Sequence, residues 1–82
     1  MTHPLRVTVY HAADCSLCAR ALEVVTEARD ELGFDLELVD IAGDSELEAR
    51  YRTVLPVVEI DGEQSFTYFV DPDALRHRLG RS

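Results

Sequence analysis

The sequence predicts a single α/β domain, with strands and helices in the order β-α-β-α-β-β-α. Two observations support this prediction. The apolar residues alternate between the two-residue period of strands and the 3.6-residue period of helices. Glycine and proline residues mark the boundaries between these segments. With 82 residues there is room for one modest core, so residues 1–82 are expected to form one domain.

The first half of the chain predicts two strands around one long helix. Leu5–Tyr10 is rich in β-branched residues and predicts a central strand, and Phe34–Asp40 alternates at period two and predicts a second. Between them, a helix is predicted from about Cys15 to Leu32, with Gly33 as the residue that ends it. The expected core stripe of this helix is Leu17, Ala21, Val24, Ala28 and Leu32, widened by Leu22 and Val25.

The second half predicts a short helix and a β-hairpin. Ser45–Glu48 fits a capping box that opens a helix ending near Arg52. Val57–Ile60 is β-branched, and Asp61-Gly62 is a strong signal for a tight hairpin turn. The returning strand is expected at Phe66–Val70.

The chain is expected to close with a third helix. Asp71 and Pro72 suit its N-cap and first helical position, Leu75 and Leu79 supply core contacts, and Gly80 ends it.

The composition restricts the classes of partner. The net charge is −8 and all eight basic residues are arginines. An acidic surface repels phosphate backbones and anionic lipids, so neither nucleic acid nor a membrane surface is an expected partner. No apolar run approaches 20 residues, and the first residues lack the pattern of a secretory signal. We therefore expect a cytoplasmic protein.

Cys15-Ser16-Leu17-Cys18 lies where the first strand meets the first long helix. Residues i and i+3 at a helix start are neighbours, close enough for a disulfide. In a reducing compartment such a pair is more often catalytic or metal-binding than a structural cross-link. The free N–H groups of the first helical turn favour a thiolate at Cys15.

The two sulfurs are expected to differ. Cys18 is followed at i+4 and i+7 by Leu22 and Val25, which predicts that it leans toward the core. Cys15 follows the loop and Asp14, and should face solvent. An exposed thiolate with a shielded neighbour suits disulfide exchange, with Cys15 as the nucleophile and Cys18 as the resolving thiol.

Two segments resemble the glutaredoxins of the thioredoxin superfamily. Val7–Tyr10 followed by Cys15–Ala21 resembles the opening of that family, and Thr53–Gly62 resembles its Thr-Val-Pro segment and hairpin. The resemblance implies a thioredoxin-like, glutaredoxin-type three-layer α/β/α sandwich with a mixed four-stranded sheet. It implies a redox-active disulfide that takes part in electron transport without a cofactor. It further implies a cis Leu55–Pro56 bond, with the Leu55 backbone available to a substrate strand.

The resemblance to glutathione-using members is weaker. Ala12 stands where they carry a lysine, Leu55 where they carry a valine, and Phe69–Asp73 replaces a Gly-Gly-acidic segment. The similarity is greatest to the divergent glutaredoxin-like group with a Cys-x-Leu-Cys motif. We therefore expect a monomer that reduces protein or small-thiol disulfides. Its electron donor is expected to be an unidentified thiol or reductase rather than glutathione.

Several residues admit more than one interpretation. Arg20 either supports an anionic substrate or is an ordinary exposed helix arginine, and Asp14 is interpreted as the N-cap of the first helix. Tyr10 and Tyr68 either line a groove or pack on the sheet.

A metal-binding module is the main rival function. Zinc or copper could use Cys15 and Cys18 with His11 and either His3 or His77. An adaptor without turnover, or one holding an iron–sulfur cluster, could use the same cysteines. The favoured prediction is that the protein has no metal site.

Overall fold

The computed structural model describes residues 5–80, and its elements follow the predicted order. Strands β1 to β4 comprise Arg6–His11, Asp35–Asp40, Val57–Ile60 and Glu63–Thr67; helices α1 to α3 comprise Ser16–Leu32, Ser45–Tyr51 and Pro72–Gly80; and a 3₁₀ turn spans Arg52–Val54. None of these helices is long and apolar enough to cross a lipid bilayer.

The four strands form one mixed sheet in the order β2-β1-β3-β4. β1 pairs in parallel with β2 and antiparallel with β3, and the hairpin adds β4 at the edge. The two central strands are the most deeply buried, with Val7 and Val9 of β1 and three of the four residues of β3 shielded from solvent, as expected for strands covered on both faces. The end of β1 and the start of β3 therefore lie side by side, with Tyr10 opposite Val57.

Apolar residues on the two sides of the sheet form separate clusters. The larger cluster packs α1 and α3 on one face of the sheet, and its buried members are Val7, Val9, Ala21, Val24, Val25, Ala28, Phe34, Val58, Ile60, Val70, Leu75 and Leu79. The smaller cluster lies beside α2, and its buried members are Ala12, Cys18, Ile41, Tyr51, Leu55 and Val57. Both cysteines of the predicted pair belong to this region. Cys18 is a buried member of the smaller cluster, and Cys15 packs against the cluster from outside.

Two core predictions for α1 are wrong. Leu17 and Leu32 are 48% and 41% exposed, whereas the interior of the predicted stripe is buried. Leu17 lies in the first turn of α1 beside the exposed Ser16, and in this turn only Cys18 is buried. Leu32 is the last residue of α1, and its neighbours Glu31 and Gly33 are exposed as well.

The predicted start of α2 is also wrong by one residue. The N-cap is Asp44 rather than Ser45, and its Oδ1 accepts hydrogen bonds from the N–H groups of Glu46 and Leu47, both at 3.1 Å. A carboxylate satisfies two free N–H groups and interacts favourably with the positive end of the helix, so it makes the better cap.

The returning strand of the hairpin begins earlier than Phe66. Asp61 and Gly62 both have positive φ values, 54° and 84°, and form the two-residue turn that the sequence predicts. Such a turn brings Glu63 directly opposite Ile60, so pairing starts at once despite polar side chains. β4 ends at Thr67 because Tyr68 adopts a left-handed conformation, with φ of 66°.

Candidate functional site

Cys15 is the N-cap of α1. Its backbone is extended, and its Sγ accepts a hydrogen bond from the N–H group of Cys18 at 3.1 Å. This assignment corrects the prediction that Asp14 caps the helix. The sulfur thus lies at the positive end of α1, where a backbone donor favours negative charge.

The second sulfur has a different environment. Cys18 is only 1% exposed and lies within the smaller cluster, as the sequence predicts. Burial and the hydrogen bond with Cys15 raise the pKa of the Cys18 thiol to about 12. Both cysteines are free thiols in this structure. The site therefore combines one partly exposed sulfur with one that is shielded and held protonated.

The Leu55–Pro56 segment joins the same cluster. Its peptide bond is cis, and both side chains are buried. Leu55 contacts the group of residues that contains Cys18. The N–H group of Tyr68 donates to the carbonyl oxygen of Pro56 at 3.0 Å, which ties the end of β4 to this segment.

An ion-pair network connects the loop before Cys15 to α2. Arg52 donates from Nη1 to Asp14 at 3.0 Å, and from Nε and Nη2 to the two carboxylate oxygens of Glu48 at 2.8 and 3.0 Å. The Arg52 guanidinium holds the pKa of the Asp14 carboxyl below its usual range. Sequence reasoning missed Arg52, because no local pattern relates residues 14 and 52.

Tyr10 packs on the sheet rather than lining an open groove. Its ring stacks on Tyr51 with centroids 4.3 Å apart, and the Tyr51 hydroxyl donates to Glu59 at 3.2 Å. Burial and the neighbouring Glu59 carboxylate raise the pKa of Tyr10 to about 12. These aromatic rings support the cluster that surrounds Cys18.

Three exposed apolar side chains belong to segments of the site. Leu17, between the cysteines, is 48% exposed, and Tyr68 and Phe69 are 50% and 60% exposed. Tyr68 is anchored next to Pro56 by its backbone hydrogen bond. Large exposed apolar side chains on segments that carry or adjoin a cysteine pair are candidates for a binding surface. The sequence analysis did not predict these exposed side chains, because it placed Leu17 in the core stripe of the helix and placed Tyr68 and Phe69 within a strand.

The remaining candidates lie apart from this arrangement. The Arg20 guanidinium is exposed and lies 3.5 Å from Glu23, one turn along α1. Across residues 5–80, no three histidine, cysteine or acidic side chains come together in a way that could hold a metal ion. His3 is outside the described residues, so that part of the rival metal site has no structural counterpart here.

The mixed sheet, with a cysteine pair at the start of α1 and a cis-proline beside it, defines a thioredoxin-superfamily protein. Within that class, the family model described as "Glutaredoxin-like domain (DUF836)" matches residues 6–80. The chain therefore belongs to the glutaredoxin-like domain family.

Two individual proteins illustrate what the chain is similar to in sequence. An uncharacterized protein of Mycobacterium tuberculosis is 34% identical over 87 residues, covering 100% of this chain and 89% of that protein. A probable thioredoxin of Methanothermobacter thermautotrophicus is 34% identical over 65 residues, covering 76% of each.

Solved structures match the fold over nearly its whole length. Protein Ne2328 from Nitrosomonas europaea aligns with a TM-score of 0.76 and 25% identity, over 96% of this chain and 95% of that one. Protein XcR50 from X. campestris gives a TM-score of 0.75 and 29% identity, over 93% and 97%. The thioredoxin of Fasciola hepatica shares the fold, with a TM-score of 0.66 and 24% identity over 95% and 80%.

Proposed function

We propose that this protein is a thiol–disulfide oxidoreductase that reduces disulfides through Cys15 and Cys18. The observation that carries the proposal is the inequality of the two sulfurs. Cys15 is partly exposed and receives a backbone hydrogen bond at the start of α1, whereas Cys18 is buried and protonated. One thiol is thus ready to attack, and the other is protected until the first has reacted.

The reaction has two steps. The Cys15 thiolate attacks one sulfur of a substrate disulfide, forming a mixed disulfide and releasing the other substrate sulfur as a thiolate. Cys18 then loses its proton and attacks the Cys15 sulfur, forming the Cys15–Cys18 disulfide and releasing the second substrate thiol. Two electrons pass from the cysteine pair to the substrate, and an external thiol or dithiol donor restores them.

Substrate recognition is assigned to the surface beside the sulfurs. The exposed side chains of Leu17, Tyr68 and Phe69 suit an apolar segment of a protein. The backbone of Leu55, next to the cis Pro56, is proposed to pair with an extended stretch of that segment. Arg20 is retained as a candidate contact for an acidic group on the substrate.

The expected context follows from the same chemistry. We propose that the protein works in the cytoplasm, because a reducing compartment keeps the dithiol pair available. We also propose that it is a monomer, and that it needs no bound cofactor because disulfide exchange takes place between sulfur atoms alone. Its net charge of −8 disfavours nucleic acid and anionic membranes as partners.

Redox titration tests this function. Purified protein equilibrated with thiol buffers should form one intramolecular disulfide, with a potential of roughly −200 to −270 mV, the range from glutaredoxins to thioredoxin. The Cys15→Ser and Cys18→Ser variants should each lose this transition. Thiols that stay reduced in oxidising buffer, together with stoichiometric binding of zinc or copper, would favour the metal-binding rival.

A further inference from the structure

The loop before Cys15 is held by an arginine from a distant part of the chain. Two donors of the Arg52 guanidinium bind the carboxylate of Glu48, which fixes its plane, and a third binds Asp14. Arg52 begins the 3₁₀ turn that leads to Leu55. Its contact with Asp14 therefore joins the loop before Cys15 to the segment that contains Leu55. An exposed ion pair has a measurable effect when its geometry is fixed in this way.

The charge of Asp14 acts on the Cys18 sulfur. Asp14 directly precedes Cys15, and its carboxylate is among the groups that raise the pKa of the Cys18 thiol, after burial and the Cys15 hydrogen bond. A negative charge at this position disfavours a thiolate. The guanidinium of Arg52, 3.0 Å from Asp14, supplies the opposing charge.

We infer that Arg52 is a positioning residue for disulfide exchange: it offsets the charge of Asp14 beside Cys15 and holds the loop that carries this carboxylate. The inference rests on the proposed role of Cys15 as the nucleophile. Arg52 acts through Asp14 and does not need to contact the substrate.

Alkylation kinetics in the Cys18→Ser background isolate Cys15. At pH 7 and low ionic strength, Arg52→Gln should slow the reaction of Cys15 with iodoacetamide about two- to fivefold, the effect expected for one well-oriented exposed ion pair. The difference should shrink in about 1 M salt, because mobile ions screen exposed charges. Adding Asp14→Asn to Arg52→Gln should restore the parental rate, since the uncompensated carboxylate is then gone.

Arg76→Gln is the matched control. Arg76 is as exposed as Arg52, 39% against 40%, and binds Glu31 through two donors at 2.8 and 3.4 Å. The Arg76→Gln substitution removes the same charge from a similar ion pair. This pair is distant from Cys15 along α1, because Glu31 lies in the last turn of the helix and Cys15 caps its start. The parental alkylation rate is therefore expected. Thermal unfolding of each variant verifies that it is folded.

Three results would overturn the inference. Arg52→Gln could react at the parental rate, Arg76→Gln could slow the reaction equally, or the double variant could remain as slow as Arg52→Gln. The last result would indicate a purely structural role. If the parental Cys15 reacts no faster than an unstructured cysteine, the proposed nucleophile fails as well. If it is fast and replacing Arg52 changes nothing, only the role of Arg52 is lost.

Discussion

The second half of the proposed reaction depends on how the surroundings of Cys18 change during the reaction. Burial is the largest cause of its raised pKa, followed by the hydrogen bond with Cys15, and the charge of Cys15 adds to both. Once Cys15 is in a mixed disulfide, it no longer carries that charge. Deprotonation of Cys18 then becomes easier, so the resolving thiol is activated when it is needed.

Glutathione is expected to be a poor donor. By the resemblance to glutaredoxins, Ala12 and Val70 stand where glutathione contacts are expected, and both are buried, at 4% and 2% exposure. Their side chains therefore offer no polar contact to a charged tripeptide. We expect weak turnover of hydroxyethyl disulfide in a glutathione-coupled assay, alongside clear reduction of insulin disulfides with a dithiol donor. Turnover in the glutathione assay equal to that of an ordinary glutaredoxin would contradict this prediction.

Individual residues differ in how much the sequence reveals about them. Cys15 and Cys18 could be placed because their spacing and the adjoining helix pattern are both local features. The contact between Arg52 and Asp14 joins positions 38 residues apart, and arginines on helix surfaces commonly serve only solubility. The stacking of Tyr51 on Tyr10 was likewise hidden, since it depends on how α2 packs across β1.

At the scale of elements, α1 and its N-cap carry the two cysteines of the candidate site, and both ends of this helix are capped. Cys15 caps the beginning, and Gly33 ends the helix with φ of 77° while its N–H group donates to the Arg29 carbonyl oxygen at 2.8 Å. The sequence predicted the glycine end because only glycine adopts this conformation readily. It assigned the first cap to Asp14, since cysteine is an uncommon cap and a carboxylate is a common one.

Gly33→Ala should destabilise the protein by about 1 kcal/mol, because alanine is strained at positive φ. Apart from Gly33 itself and its two chain neighbours, nothing lies within 4 Å of the added Cβ, so the cost comes from the backbone alone. Gly33→Asn should cost less, since asparagine tolerates the left-handed conformation. Urea unfolding of the three proteins measures these differences. Equal stability of the alanine variant and the parent would refute the assignment.

The elements also show where periodicity stops being informative. β1, α1 and β3 were predicted to within about one residue because their buried faces impose a regular apolar pattern. β4 was misplaced because it lies at the sheet edge, where Glu63 and Gln64 can pair through their backbones while their side chains remain in solvent. Its position is set by the tight turn at Asp61-Gly62 rather than by its own hydrophobicity.

The whole molecule divides its apolar residues between two roles. The larger cluster joins both long helices to the sheet, and the smaller one surrounds Cys18 and supports Leu55. The cysteine pair thus adjoins part of the core, with Cys18 inside the smaller cluster and Cys15 packed against it from outside. Changes in the protonation of this smaller cluster should therefore alter the stability of the entire fold.

Stability should decline at alkaline pH under reducing conditions. The pKa of Tyr10 is raised from 10.0 to about 12, and that of Cys18 from 9.0 to about 12. Between about pH 9 and 12, the unfolded chain therefore binds fewer protons than the folded protein, so the free energy of unfolding falls as pH rises. Urea unfolding at several pH values measures the slope.

Tyr10→Phe should reduce this slope between about pH 10 and 12, whereas Tyr68→Phe, which changes an exposed ring, serves as the control. If the pH dependence of the free energy of unfolding were the same in Tyr10→Phe as in the parent, the burial of Tyr10 would not raise its pKa.

The division of labour between the sulfurs is tested most directly by comparing alkylation of the two single-cysteine variants. At pH 7, the Cys18→Ser protein, which retains the capping Cys15, should react with iodoacetamide at least about tenfold faster than the Cys15→Ser protein. The retained Cys18 should react slowly because it is buried and its pKa is about 12. Faster alkylation of the protein that retains Cys18 would reverse the assignment of the nucleophile. Equal rates, both like that of an unstructured cysteine, would show that no activated site exists.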